Sequence, residues 1–182
     1  MRTPPARPTL LRPKGITVKL DKPVLLVDSR EKTPYTFVPF HRWFAGIERR
    51  ALRVGDYSIA GLEDRIAVER KTVEDLFNSC SPLSSRNAFV RACARLGKLE
   101  FAALVIEGSL EDVLDGMTCS GMHPNAVLGT LEALAVRWGI QPWFAGTPEV
   151  GEELTACLLH KAYQLATLER MRLPRRFVEG DI

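Results

Sequence analysis

The sequence predicts an α/β fold with a central mixed β-sheet flanked by helices, and three patterns carry that reading. Two continuous apolar runs, Val24–Val27 and Phe101–Ile106, have the length and composition of strands buried on both faces. Between them, Tyr57–Ile59 and Ile66–Glu69 flank a Gly61-Leu62-Glu63-Asp64 turn, the layout of a hairpin. From Thr72 onward, stretches with apolar residues at helical spacing alternate with further strands.

Taken in order, residues 1–20 hold Pro4, Pro5, Pro8 and Pro13 among five basic residues and no acid. They are expected to form a flexible arm, with residues 21–182 as a single domain long enough to bury a core. The first strand ends at Asp28, and residues 34–47 are aromatic-rich and irregular. Ala51–Val54 and Tyr57–Ile59 read as one strand bent near Gly55, with Ile66–Glu69 returning beside it.

Thr72 with Asp75 three residues on resembles a capping box, and Val73, Leu76 and Phe77 share one helical face. Ser79–Ser85, with Pro82 and several serines, reads as a loop. Phe89, Ala92, Cys93 and Leu96 then mark an amphipathic helix, with Arg91 and Arg95 on its solvent side. After the strand Phe101–Ile106, Ser109–Leu114 reads as a short serine-capped helix.

A long helix from Pro124 carries Val127, Leu128, Leu131, Leu134, Ala135 and Trp138, and Gly139 ends it. Ile140–Phe144 is a short strand, and the last helix runs from about Pro148 to Arg170 with Leu154, Cys157, Leu158, Leu165 and Leu168 inward. The early strands are expected to form a meander. Strands that come first as a meander and only then alternate with helices argue against a doubly wound nucleotide-binding fold, and no internal repeat or glycine-rich phosphate loop occurs.

Composition narrows the function classes. No apolar run approaches a membrane span and no secretory signal opens the chain, so no membrane contact and a cytoplasmic location are expected. Cys80, Cys93, Cys119 and Cys157 are scattered, without a paired motif or neighbouring histidines, so zinc and a disulfide framework are disfavoured. The net charge of +3 is concentrated in the arm, leaving a slightly acidic remainder. Any grip on phosphate must then come from local clusters, of which Arg49, Arg50 and Arg53 form one. Arg170, Arg172, Arg175 and Arg176 form another.

The chemistry points to Asp56, Glu69 and Lys71. Glu69 and Lys71 sit two apart on a strand and leave one face, while Arg70 leaves the other. A hairpin brings Asp56 across from Glu69. Carboxylates held close among apolar neighbours repel, and a divalent cation such as Mg2+ relieves that repulsion. A plain ion pair of Glu69 with Lys71 is the competing explanation. Asp28 fits a turn-forming aspartate as well as a site carboxylate. Asp75 fits equally the first turn of its helix. Arg30, Arg70 and Arg86 are candidates for holding phosphate, although each alone also fits a solvated surface charge.

Val27-Asp28-Ser29-Arg30-Glu31, Gly55-Asp56-Tyr57-Ser58-Ile59, Val68-Glu69-Arg70-Lys71 with Asp75-Leu76, and Leu104-Val105-Ile106-Glu107-Gly108 together resemble the XPF-type nuclease domain (excision-repair cross-complementation group 4). The resemblance implies a restriction-endonuclease-like fold and Mg2+- or Mn2+-dependent cutting of DNA near branched junctions, in repair or recombination. It places Asp28, Asp56, Glu69, Lys71 and Asp75 at the family's acidic and lysine positions, with Asp28, Asp56 and Glu69 as metal ligands. Arg30, Glu31 and Arg70 match the charged residues beside them. Ser84-Ser85-Arg86-Asn87-Ala88-Phe89 stands where the family usually carries a glycine-arginine-leucine segment and a glutamine.

The expected protein is a compact, stand-alone version in a bacterial or phage setting, with DNA as its partner. An apolar helical face leaves a homodimer open. The alternative is a non-catalytic DNA-binding or scaffold module of the same fold, acting with a partner nuclease.

Overall fold

The computed structural model describes residues 9–11, 17–81, 86–116 and 122–171. Strands β1 (Thr9–Leu11) and β2 (Thr17–Lys19) pair antiparallel as a separate two-stranded ribbon, a feature not anticipated in the proline-rich arm. Residues 1–8 and 12–16 of that arm lie outside the described residues.

The main sheet has six strands: β3 (Val24–Asp28), β4 (Gly46–Arg50), β5 (Tyr57–Ile59), β6 (Ile66–Thr72), β7 (Phe101–Glu107) and β8 (Gln141–Phe144). Their order is β4-β3-β5-β6-β7-β8. β3, β5 and β6 pair antiparallel in succession, whereas β3–β4, β6–β7 and β7–β8 are parallel. The sheet is therefore mixed, as predicted.

Two expectations are corrected at its near edge. The early strands are not a simple meander, because β4 crosses to the outer side of β3 before β5 returns to the inner side. The strand preceding Gly55 is Gly46–Arg50, not Ala51–Val54. Leu52 is buried, but its N–H donates to Asp28 Oδ2 at 3.1 Å instead of to a neighbouring strand. An apolar residue buried in a loop mimics a strand when only the sequence is read.

Among the described residues, five α-helices cover the sheet: α1 (Val73–Cys80), α2 (Arg86–Leu96), α3 (Leu110–Asp115), α4 (Pro124–Trp138) and α5 (Pro148–Arg170). Thr72 caps α1 by accepting the Asp75 N–H at 3.0 Å, and a full capping box forms at Ser109 and Asp112. α1 runs on to Cys80 through residues expected to be loop, and residues 82–85 lie outside the described ones.

The period of two along each strand divides the core. Leu25, Val27, Tyr57, Ile59, Ile66, Val68, Ala103 and Val105 pack on one face with Ala156, Leu159, Ala162 and Ala166 of α5. Ala67, Leu104 and Ile106 pack on the other with Leu76, Phe77, Phe89, Cys93, Leu96, Val127 and Leu131 from α1, α2 and α4. Leu165, expected inward, is exposed, because the stripe of α5 that meets the sheet is Ala156, Leu159, Ala162 and Ala166 instead. Among the described residues, no helix is long and apolar enough to cross a membrane. Cys80, Cys93 and Cys157 are free thiols, with burial pushing Cys93 up to about 12; Cys119 lies outside the described residues.

Candidate functional site

Alternation along the strands decides which ionisable groups meet. Ile66 and Val68 face α5, so Arg70 follows them to that side, while Ala67, Glu69 and Lys71 point towards α1 and α2. In β5, Tyr57 and Ile59 also face α5, which turns the preceding Asp56 towards the α1–α2 side. The register Tyr57↔Val68 sets Asp56 across from Glu69. Asp28 follows Val27 of the α5-facing set and therefore leaves on the same side as Asp56.

Gly55 makes this approach possible. Its φ of +76° suits glycine, and a Cβ there would sit 2.9 Å from the Ala67 Cβ and 3.1 Å from the Val68 carbonyl oxygen. The bend carries Asp56 close to β6, where Asp56 N–H donates to the Val68 carbonyl at 2.9 Å. In return, Asp56 Oδ2 accepts the Arg70 backbone N–H at 2.8 Å.

A cavity of about 230 Å³ opens over these residues, lined by Asp28, Glu31, Asp56 and Glu69 on the sheet side. Arg53 from the loop before Gly55 and Ala92, Arg95 and Leu96 from α2 complete it. Lys71 Nζ stands 3.6 Å from Glu69 Oε1 and over the Phe89 ring, 5.7 Å from its centroid. The core of the expected trio is thus assembled: two carboxylates with an ammonium beside them.

The two carboxylates suffer in this setting. Burial, and then the Glu69 charge, pushes Asp56 up to about 7. Burial likewise raises Glu69, against the opposing pull of Lys71. Two half-dry carboxylates that repel one another fit a hard divalent cation, which takes one or two carboxylates and keeps its waters. Among the described residues, no set of three His, Cys, Asp or Glu side chains lies at metal-holding separation. The donor set therefore fits an Mg2+-type ion held by Asp56 and Glu69, and not an all-protein cage.

The remaining expected residues divide. Asp28 is 2% exposed, and its carboxylate accepts from Arg30 N, Nε and Nη2 and from Leu52 N. The Arg30 fork holds it well below the usual carboxylate range, so it lines the cavity with its oxygens already engaged by protein donors. Asp75 stands exposed in the first turn of α1 and does not line the cavity.

Arg70, expected to hold phosphate, is instead committed to the α5 side. It binds Glu107 through Nε at 2.7 Å and Nη2 at 2.9 Å, and Glu31 through Nη1 at 3.1 Å. Its guanidinium lies 5.1 Å from the Tyr35 ring centroid. Arg86 is also turned away, donating to the Cys80 carbonyl and Thr130 Oγ1 at 3.2 Å. It lines a different groove between α2 and α4. Arg70 is drawn off by Glu107 and Glu31, both remote in sequence, and Arg86 by the nearby Cys80 carbonyl and the remote Thr130. Conversely, Glu31 and Arg95 line the cavity without having been singled out for it; Glu31 had one signal, its place beside Arg30 in the first motif.

Residues 27–157 match the family model of the ERCC4 domain. The chain belongs to the ERCC4 domain family. A Methanocaldococcus jannaschii protein bearing an ATP-dependent RNA helicase name is 33% identical over 141 residues. That match covers 77% of this chain but 16% of the relative, so the helicase name concerns a much longer protein. Among solved structures, XPF from Aeropyrum pernix has a TM-score of 0.59 at 20% identity, covering 77% of this chain and 61% of that one. The same protein in complex with DNA gives 0.59 at 23% identity, covering 80% and 66%. These structures establish the fold of the ERCC4 domain here as that of XPF nuclease domains, with a mixed sheet between helices.

The raised carboxyl of Asp56 has a measurable consequence. Its ordinary value is 3.8, and in the fold it rises to about 7. The folded ERCC4 domain therefore holds this proton more tightly than the unfolded chain, and the stability that Asp56 contributes to the metal-free protein is lost as pH rises from about 4 through 7. A cation held by Asp56 would have to displace that proton, so its affinity would rise over the same window. Millimolar Mg2+ or Mn2+ is expected to raise the melting temperature by a few degrees at pH 8 and far less at pH 5.5. Equal shifts at both pH values would contradict this assignment.

Proposed function

We propose that this ERCC4 domain is a metal-dependent DNA endonuclease that hydrolyses phosphodiester bonds, with branched DNA such as flaps and forks as substrate, in repair or recombination. The observation that carries the reading is the convergence of Asp56, Glu69 and Lys71 on one sheet face beside a cavity with arginines on its rim. Family membership supports it, and the DNA in the Aeropyrum pernix complex supports the substrate class.

Asp56 and Glu69 would hold Mg2+ or Mn2+, which when bound lowers the pKa of water and neutralises phosphate charge. The Arg70 N–H fixes the orientation of Asp56, and Gly55 keeps that carboxylate against β6. Lys71 offsets the negative charge that gathers on the phosphate oxygens as water attacks phosphorus and the P–O bond breaks. One product end then carries a phosphate monoester and the other a hydroxyl. Backbone contacts from arginine position the strand without reading its sequence.

The scaffold reading draws on one observation, the full engagement of Asp28 by Arg30 and Leu52. One experiment separates the two. Labelled flap, fork and linear duplex DNAs are incubated with Mg2+, Mn2+ or chelator. The nuclease reading expects cutting that depends on Mg2+ or Mn2+ and favours the branched substrates. Unaltered DNA in every lane, with branched DNA bound equally well in chelator, would establish the scaffold.

A further inference from the structure

The charges around the cavity do not cancel one by one. Asp28 is paired with Arg30 at 2.6 Å, Glu31 with Arg70 at 3.1 Å and Glu69 with Lys71 at 3.6 Å. Asp56 is held by a backbone N–H. Arg53 and Arg95 also line the cavity, both are exposed, and neither has an ion pair or side-chain hydrogen bond among the described residues. Every other charged side chain on the cavity wall therefore has a protein partner, and these two arginines are surplus cations.

Their placement is not a local accident of sequence. Arg53 lies in the loop whose Leu52 is anchored to Asp28, so that loop is fixed to the sheet. Arg95 lies in the last turn of α2, beside Leu96, which is buried in the core. Two independently anchored elements thus set guanidinium groups around one opening that has carboxylates at its floor. Ala92, one turn before Leu96, leaves the space between them clear of a long side chain.

We infer that Arg53 and Arg95 form a two-armed clamp on a single DNA phosphate next to the one that is hydrolysed, and act as positioning residues for the strand. Guanidinium forks bind phosphate oxygens bidentately, whereas an ammonium offers only a point charge. The clamp sets which linkage of the strand reaches Asp56, Glu69 and Lys71. It rests on the nuclease reading for its purpose, but its grip on DNA does not depend on catalysis.

The test therefore has a binding arm and a cleavage arm. Equilibrium binding of a fluorescent single-stranded oligonucleotide to the full chain is measured in chelator across a salt series. Arg53→Ala and Arg95→Ala are each expected to weaken binding about ten-fold at low salt, and the double variant to lower the salt slope by about 0.7, the share of one phosphate. Arg91→Ala, an exposed arginine of α2 off the cavity wall, is expected to change affinity by less than about two-fold. Arg95→Lys should recover part of the loss.

A scan of a fork DNA, whose junction fixes the register of the strand, with single methylphosphonate linkages that each remove one phosphate charge locates the clamp. One linkage should weaken binding to wild type and have no effect in the Arg53→Ala/Arg95→Ala double variant. In the cleavage arm, the same variants are expected to raise KM more than they lower kcat. Losses with Arg91→Ala equal to those with Arg95→Ala, or a methylphosphonate profile identical in wild type and double variant, would overturn the clamp. Absence of cleavage by wild type with the binding pattern intact would instead sink the nuclease reading and leave the clamp standing.

Discussion

Asp56→Asn is expected to lower cleavage by about three orders of magnitude or more while leaving the protein at least as stable as wild type at pH 8. The two effects have one cause. Asp56 carries a charge that burial and Glu69 both oppose, which is why its carboxyl is pushed up to about 7. Asparagine keeps the shape and still accepts the Arg70 N–H through its amide oxygen. It removes the repulsion with Glu69, and with it the charge that a cation requires. Lys71→Ala should lose cleavage too but with the opposite stability sign, because Glu69 then loses its partner at 3.6 Å. Chemical denaturation beside a cleavage assay separates these outcomes. Retained cutting by both variants would remove the assignment of the site.

The largest stability effect is expected at a residue outside the cavity. Glu107→Ala should cost about 3 kcal/mol in urea denaturation, since removing one member of a buried ion pair leaves the other uncompensated. The Glu107 side chain is 5% exposed and that of Arg70 is 14% exposed, so solvent screening is weak. Without Glu107, Arg70 keeps Glu31 at 3.1 Å, a long contact to Thr33 and the Tyr35 ring. Glu31 would then be drawn towards Arg70 and away from its place at the cavity edge. Glu107→Gln preserves one acceptor and should lose roughly half as much. A loss below 1 kcal/mol for the alanine variant would mean that Arg70 finds another partner or escapes to solvent.

Local order explains what could be read from the sequence. The buried runs at Val24–Asp28 and Phe101–Glu107, the β5–β6 hairpin and the helices carried strong periodicity, and each formed close to its expected bounds. The Asp56–Glu69–Lys71 cluster followed from the same local logic, because a hairpin register and a two-residue repeat suffice to build it. β4 escaped notice since Gly-Ile-Glu-Arg-Arg offers a single apolar side chain and lies at an edge, where alternation need not appear. The attachment of Arg70 to Glu107 joins residues 37 apart, and Arg53 and Arg95 line one cavity only through the docking of α2. Such pairings are settled by tertiary packing, and no short window of sequence encodes them.

The outer margins of the sheet limit how copies of this molecule can join. One border, β4, presents charged Glu48, Arg49 and Arg50, while the other, β8, contains Pro142, which lacks the amide hydrogen a new neighbour would require. Ribbon-to-ribbon recruitment of a second chain is thereby discouraged at each end. A second copy therefore finds little to pair with at either border of the six-stranded sheet, which favours self-association through other surfaces.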